Sequence, residues 1–429
     1  MKESINTQDI AANTADAKVA VGIKDAGERA YIPLSIPNFE GNEKKYVDEA
    51  IEQGWVSTGG AFITRLERSL ADFMGIPNVA AVQSGTSALH LSLIEAGVKP
   101  GDVVLVSPVT FIAAVNPVRY QFATPVFIDC DDSFCMDPEK LANFCSTECA
   151  YSAEDGGLMY KGKRVKAVIV VHVFGNIADM ERIMAIAEKY GLTVIEDATE
   201  ALGTKYTQGR YAGKYAGTIG HFGAFSFNGN KIVTTGGGGA VTASRAEVVD
   251  HLRFLSTQAK TDPHYYIHDE IGYNYRMTNL QAALGVAQME ELPDFISRKT
   301  RNYRQYCDEF AGFDLGYMMP FRDGTASNHW FYSLCINRDR VKFTEMRKII
   351  TALDAKKIQT RPIWGLINEQ KPYKTADTYK LEKAPYYAER ILNLPSSTQI
   401  TSEEISYVVK EVKALFGRLA DQHSANSGS

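Results

Sequence analysis

Four short runs of almost purely apolar, mostly β-branched residues constrain this chain more than any other feature. They are Val103–Val106, residues 125–128, 167–171 and 193–195. A strand with one face in water alternates apolar with polar residues, so runs apolar at every position indicate strands buried on both faces. Between the last two lies a stretch from Asp179 to Tyr190 in which Met180, Ile183, Met184, Ala187 and Tyr190 recur at helical spacing. Strand, helix and strand in that order make a crossover unit, and such a unit implies parallel strands. The chain is therefore expected to be an α/β protein whose ligands bind beyond the carboxyl ends of the strands.

Composition agrees with a large soluble domain and narrows the partners. The 429 residues are 45% hydrophobic and 23% charged, enough for a sizeable core and more than one domain. A net charge of −5, with no run rich in arginine and lysine, argues for a small-molecule substrate and against nucleic acid or an anionic membrane surface. No apolar stretch is long enough to span a bilayer and the first residues lack the core of a signal peptide, so a cytoplasmic location is expected. Cys130, Cys135, Cys145 and Cys149 cluster, but without paired C-x-x-C spacing or an interleaved histidine they read as reduced thiols, and no metal is expected. Residues 1–30 are polar and alanine-rich and read as a mobile arm, with order beginning near Tyr31.

The residues just after each apolar run carry the chemistry. Ala80-Ala81-Val82 leads into Gln83-Ser84-Gly85-Thr86-Ser87-Ala88, a turn of small residues opening a helix. Alone it is an N-cap, and it is also a cradle for a phosphate. Val103–Val106 is followed by Phe111, the 167–171 run by His172, and the 193–195 run by Glu196, Asp197 and Glu200. Asp197 ends a buried strand with a carboxylate that needs a partner. Further on, Ser226-Phe227-Asn228-Gly229-Asn230-Lys231 sets one lysine ahead of the glycine run 236–239, where backbone can approach a ligand closely. A lysine in a confined pocket can lose its proton and form a Schiff base. Pyridoxal phosphate needs an amine for its aldehyde, a carboxylate for its ring nitrogen, a phosphate cup and a flat surface against its ring. Lys231, Asp197, the Gly85-Thr86-Ser87 turn and Phe111 can supply all four.

These residues also carry a resemblance. Ser84-Gly85-Thr86-Ser87-Ala88, Glu196-Asp197-Ala198, the Ser226 to Lys231 loop and Gly272-Tyr273-Asn274-Tyr275-Arg276-Met277 occur in the order found in the nucleotide-sugar aminotransferases of the DegT/DnrJ/StrS type. The chain resembles that family from about Tyr31 to Phe416. The resemblance implies an aspartate-aminotransferase-like, fold-type I, three-layer domain with a mostly parallel sheet. It places this large cofactor domain at 31–290, a smaller α+β domain at 291–418 and a flexible tail at 419–429. It implies pyridoxal 5'-phosphate linked to Lys231, with Asp197 on the ring nitrogen, Gly85, Thr86, Ser87 and Ser226 at the phosphate, and Phe111 stacked on the ring. Asn274 would reach the cofactor phosphate of a neighbouring subunit, which calls for a homodimer with shared active sites.

On the substrate side the resemblance points to Thr58, in the loop 55–60, and to His172 and His329; a histidine satisfied within the core is an equal reading for the last two. Glu200 stands where most members have glutamine, near the ring hydroxyl, and a carboxylate beside a phenolate oxygen is repulsive unless one of them is protonated. Gln359-Thr360-Arg361-Pro362-Ile363-Trp364 departs from a histidine-tyrosine pair of many relatives. Arg361 reads either as a diphosphate contact or as a surface ion pair. A dehydrating branch of the family replaces the lysine by histidine, so Lys231 favours amination. The segments 32–43 and 226–231 look most like enzymes acting on UDP-linked 4-keto-6-deoxy-N-acetylhexosamines with L-glutamate as donor. GDP- or dTDP-linked keto-deoxysugars are the alternative substrates. A non-catalytic sensor of the same fold is disfavoured by the intact lysine.

Overall fold

The computed structural model describes residues 30–427 except 155 and 263, and side chains as far as 421. The expected arm at 1–30 thus lies almost wholly outside the described residues.

The apolar runs form the centre of one large sheet. Its strands are β1 (Ala80–Val82), β2 (Val103–Val106), β3 (Thr124–Ile128), β4 (Lys163–Val171), β5 (Thr193–Asp197), β6 (Phe222–Ser226) and β7 (Gly239–Ala243). They lie in the order β1-β7-β6-β5-β4-β2-β3, and Thr378–Tyr379 extends the β3 edge. From β6 to β3 every pairing is parallel. At the other edge β7 runs antiparallel to both β6 and β1. Residues of β2, β4 and β5 are buried on both faces, which is why their sequences show no alternation.

The elements that feed the site are built by local rules. Helix α1 (Gly85–Glu95) follows β1 directly, and Ser84 Oγ accepts the N–H of Ser87 as its cap. Helix α2 (Met180–Tyr190) has Asp179 as its cap and ends on Gly191 in the left-handed conformation. It crosses from β4 to β5 as the sequence periodicity implies.

Two long helices bear on the expected domain limits. Helix α3 (Asn279–Phe310) runs unbroken across the expected boundary at 290/291, started by a capping box of Thr278 and Gln281. Its first half packs against Ala61–Met74 and its second half serves a separate apolar cluster that includes Ile32, Tyr306, Phe310, Tyr332, Leu392 and Val408. That cluster lies under a small antiparallel sheet formed by Gly316–Met318, β8 (Tyr332–Ile336), β9 (Ile391–Leu394) and Arg361–Pro362. The final helix, α4 (Ser402–Ser427), continues past residue 418, so the expected tail at 419–429 is helical as far as Ser427. Among the described residues no helix is long and apolar enough to cross a membrane.

Candidate active site

The carboxyl ends of β2, β5 and β6 open into a cavity of about 660 Å3. Gly85, Thr86, Phe111, Asp197, Glu200, Ser226, Lys231 and Arg361 all line it, although they come from five separate stretches of chain. The parallel sheet brings them together, because β5 and β6 pair with Asp197 opposite Ala224 and both end at the same edge.

Lys231 is placed by a compact loop. Its N–H donates to Asn228 O at 3.0 Å, and the N–H groups of Phe227 and Thr235 close the loop on Gly238 O and Phe227 O. Lys231 Nζ lies 3.4 Å from Glu200 Oε1 and 4.1 Å from the centre of the Trp330 ring. The indole is fixed in turn: Trp330 Nε1 donates to Asn230 O at 2.8 Å, and its carbonyl accepts from the buried Lys299 Nζ at 3.0 Å.

Both carboxylates are almost completely buried. Burial pushes the Asp197 carboxyl above its usual range, against the opposing pull of Thr199, whose N–H donates to Oδ1 at 3.1 Å, and of the Lys231 charge. Burial likewise raises Glu200 to about 7, while the charge of Lys231 and the N–H of Phe174 at 2.9 Å pull the other way. Phe174 makes that contact from a left-handed conformation, φ 56°, seldom adopted outside glycine.

Another side of the cavity is the start of α1, a setting suited to an anion. Gly85 and Thr86 occupy the first turn of α1, where N–H groups have no intrahelical acceptor and the helix dipole is positive. A Cβ on Gly85 would stand 2.9 Å from both Ser226 Cβ and Thr199 Cγ2, so only glycine keeps this turn against β6. Phe111 lies on the rim with more than half its surface exposed. The set therefore fits pyridoxal phosphate: an amine, a buried carboxylate, a glycine-walled helix start and an exposed ring around one cavity.

Five expected site residues do not line this cavity. Ser87 turns inward, its hydroxyl 2.8 Å from Ser84 Oγ. His172 is fully buried beneath it: Nδ1 accepts the Ala178 N–H at 3.1 Å, which leaves the proton on Nε2 to be donated to Glu196 at 2.8 Å. It is a satisfied core histidine with no ring atom left for a substrate. His329 faces away, against Thr300, Tyr303 and Phe321, and burial lowers its pKa to about 4. Thr58 and Asn274 are exposed on the outside of this chain.

Sequence reasoning missed the aromatic side of the cavity, where Phe174, Trp330, Phe331 and Trp364 meet. The clustered aromatics at 330–332 were the available signal. Nothing local links them to Phe174 or to Trp364.

The family model for the DegT/DnrJ/EryC1/StrS aminotransferases matches residues 37–413. The chain is 34% identical over 379 residues to the GDP-perosamine synthase of Caulobacter vibrioides, covering 88% of this chain and 96% of that protein. It is 33% identical over 355 residues to a UDP-N-acetyl-3-dehydro-alpha-D-glucosamine 3-aminotransferase of Acidithiobacillus ferrooxidans, with 81% and 87% covered. Among solved structures it is similar to a DegT DnrJ EryC1 StrS aminotransferase of Brucella abortus, at a TM-score of 0.77 and 26% identity, covering 96% of this chain and all of that one. With nearly its whole ordered length matched, the chain belongs to the DegT/DnrJ/EryC1/StrS aminotransferase family and is a fold-type I, pyridoxal-phosphate-dependent aminotransferase.

Proposed function

We propose that this aminotransferase moves an amino group from L-glutamate to C4 of a UDP-linked 4-keto-6-deoxy-N-acetylhexosamine, in the cytoplasm, as a homodimer with shared active sites. The observation that carries the reading is the Lys231 amine, 3.4 Å from Glu200, in a cavity that also holds Asp197 and the first turn of α1. Its volume of about 660 Å3 is within the range of sites that enclose a cofactor together with part of a substrate. Relatives named for a GDP-linked and a UDP-linked sugar support a nucleotide-linked acceptor.

The cofactor would be held by Lys231 at its aldehyde, Asp197 at its ring nitrogen, and Gly85, Thr86 and Ser226 at its phosphate, with Phe111 against the ring. When bound, it supplies the electron sink that lets a Cα–H bond of an amino donor break. Asp197 would keep the proton on the ring nitrogen, a role that suits a buried carboxylate for which no ion pair is formed among the described residues. Lys231 Nζ takes the proton from the donor's Cα and returns one to the acceptor carbon. Glu200, hydrogen-bonded to that amine, is raised by burial to about 7, so near neutral pH it has access to its protonated form, the form that tolerates a neighbouring phenolate oxygen. Arg361, on the rim, would meet the diphosphate. Asn274, exposed on its own chain, would reach the phosphate bound by a second copy.

The test is to incubate the purified protein with L-glutamate and UDP-, GDP- and dTDP-linked 3-keto and 4-keto sugars. Release of 2-oxoglutarate is expected with the UDP-linked 4-keto-6-deoxy sugar. Release only with a GDP- or dTDP-linked sugar would overturn the substrate assignment.

A further inference from the structure

The side of the cavity next to Lys231 is a continuous aromatic wall. Trp330 and Phe331 stack with ring centres 3.9 Å apart and planes 11° from parallel. Phe174 packs against both, at 6.1 and 5.5 Å, and against Trp364 at 4.6 Å. Phe174, Trp330 and Phe331 are each less than a tenth exposed, whereas Trp364 is half-buried and so offers the largest open face of the four. Three polar atoms of its buried members are already engaged. Trp330 Nε1 is given to Asn230 O, Trp330 O to Lys299, and Phe174 N–H to Glu200. Phe174 sits at the centre of the wall in a left-handed backbone conformation, and strain of this kind persists only where the surroundings enforce it and gathers at ligand sites.

Distance decides which part of a nucleotide sugar meets this wall. Lys231 Nζ is 4.1 Å from the Trp330 ring, so a carbon reacting at that amine is already in contact range of the first indole. In a 4-keto hexose C6 is two bonds from the reacting C4, while the nucleobase lies a whole diphosphate further out. The sugar carbons around C4, and not the base, therefore fall on the wall, and within two bonds of C4 the C6 methyl is the one apolar group.

We propose that Trp364, backed by Phe174, is a specificity-determining residue that selects a 6-deoxy sugar by packing its C6 methyl group against the aromatic wall. This rests on the reading of the site as a nucleotide-sugar aminotransferase. A 6-hydroxyl held against these ring faces would be stripped of water with no hydrogen bond from them in return, and an apolar pocket rejects an added hydroxyl by up to about 100-fold.

The cofactor-loaded protein is titrated calorimetrically with two ligands, a UDP-linked 6-deoxy-N-acetylhexosamine and the UDP-linked N-acetylhexosamine that keeps its 6-hydroxyl. The wild type is expected to bind the 6-deoxy form about 10- to 100-fold more tightly. Trp364→Ala should cut that ratio below about threefold, chiefly by weakening the 6-deoxy ligand, and Trp364→Phe should retain most of it. Because Trp364 is half-buried, circular dichroism of both variants is expected to match the wild type. Equal affinities in the wild type, or a ratio unchanged by Trp364→Ala, would overturn the assignment. If neither UDP-sugar binds but the corresponding GDP-linked pair does, the nucleotide of the proposed function falls and the same ratio, read on the GDP-linked pair, decides the role of Trp364.

Discussion

Lys231 and Glu200 are the residues on which the chemistry turns, and their pairing has a consequence that can be measured without substrate. Burial raises the folded-state pKa of Glu200 from 4.5 to about 7. As pH rises, the unfolded chain releases this proton first, so the stability the protonated group contributes is full below pH 4.5 and is lost as pH climbs through about 7. The swing is at most roughly 3 kcal/mol. Glu200→Gln, which cannot titrate, is expected to flatten the fall in melting temperature of the cofactor-free protein over that window. A fall as steep as in the wild type would contradict the assignment. Lys231, Asp197 and Glu200 were legible in the sequence because each follows a strand end or a glycine-flanked turn, and such positions share one edge of a parallel sheet. Ser87, His172 and His329 misled because their decisive partners are invisible to local pattern. The Ser87 hydroxyl is taken up by the cap, His172 is claimed by Glu196 from the neighbouring strand, and His329 by Thr300 on α3.

At the scale of elements, the join between β1, α1 and β6 holds the anion cradle in shape. Gly85→Ala puts a methyl group 2.9 Å from Ser226 and Thr199, so something must shift. The variant is expected to lose about 1–3 kcal/mol in denaturant unfolding and to bind pyridoxal phosphate at least tenfold more weakly. Unchanged cofactor affinity would show that the first turn of α1 does not carry the phosphate. The strands β2 to β5 were readable because burial on both faces leaves only apolar residues, and α2 because its apolar stripe repeats at 3.6 residues. The antiparallel edge formed by β1 and β7 was not readable, since strand direction leaves no mark on a run as short as Ala80–Val82. Nor was the length of α3: Pro293 sits inside it, a residue that in sequence argues for a break, yet the helix continues for 32 residues.

At the scale of the molecule, the cavity of one chain lacks Asn274, Thr58 and the loop around Trp55, all of which lie on its outer surface. If Asn274 serves the site of a second copy, mixing inactive Lys231→Ala chains with Asn274→Ala chains should restore part of the activity, because some mixed dimers carry one intact site. No recovery after subunit exchange, demonstrated by mixed species in native mass spectrometry, would place Asn274 outside the shared site.

The central claim is that Lys231 is the covalent anchor of the cofactor, and one measurement reaches it without any choice of sugar. The protein loaded with pyridoxal phosphate is reduced with borohydride, digested and analysed by mass spectrometry. A pyridoxyl group is expected on the peptide containing Lys231 and should be absent after reduction of Lys231→Ala. A pyridoxyl group on another lysine, or equal labelling of the Lys231→Ala protein, would contradict it.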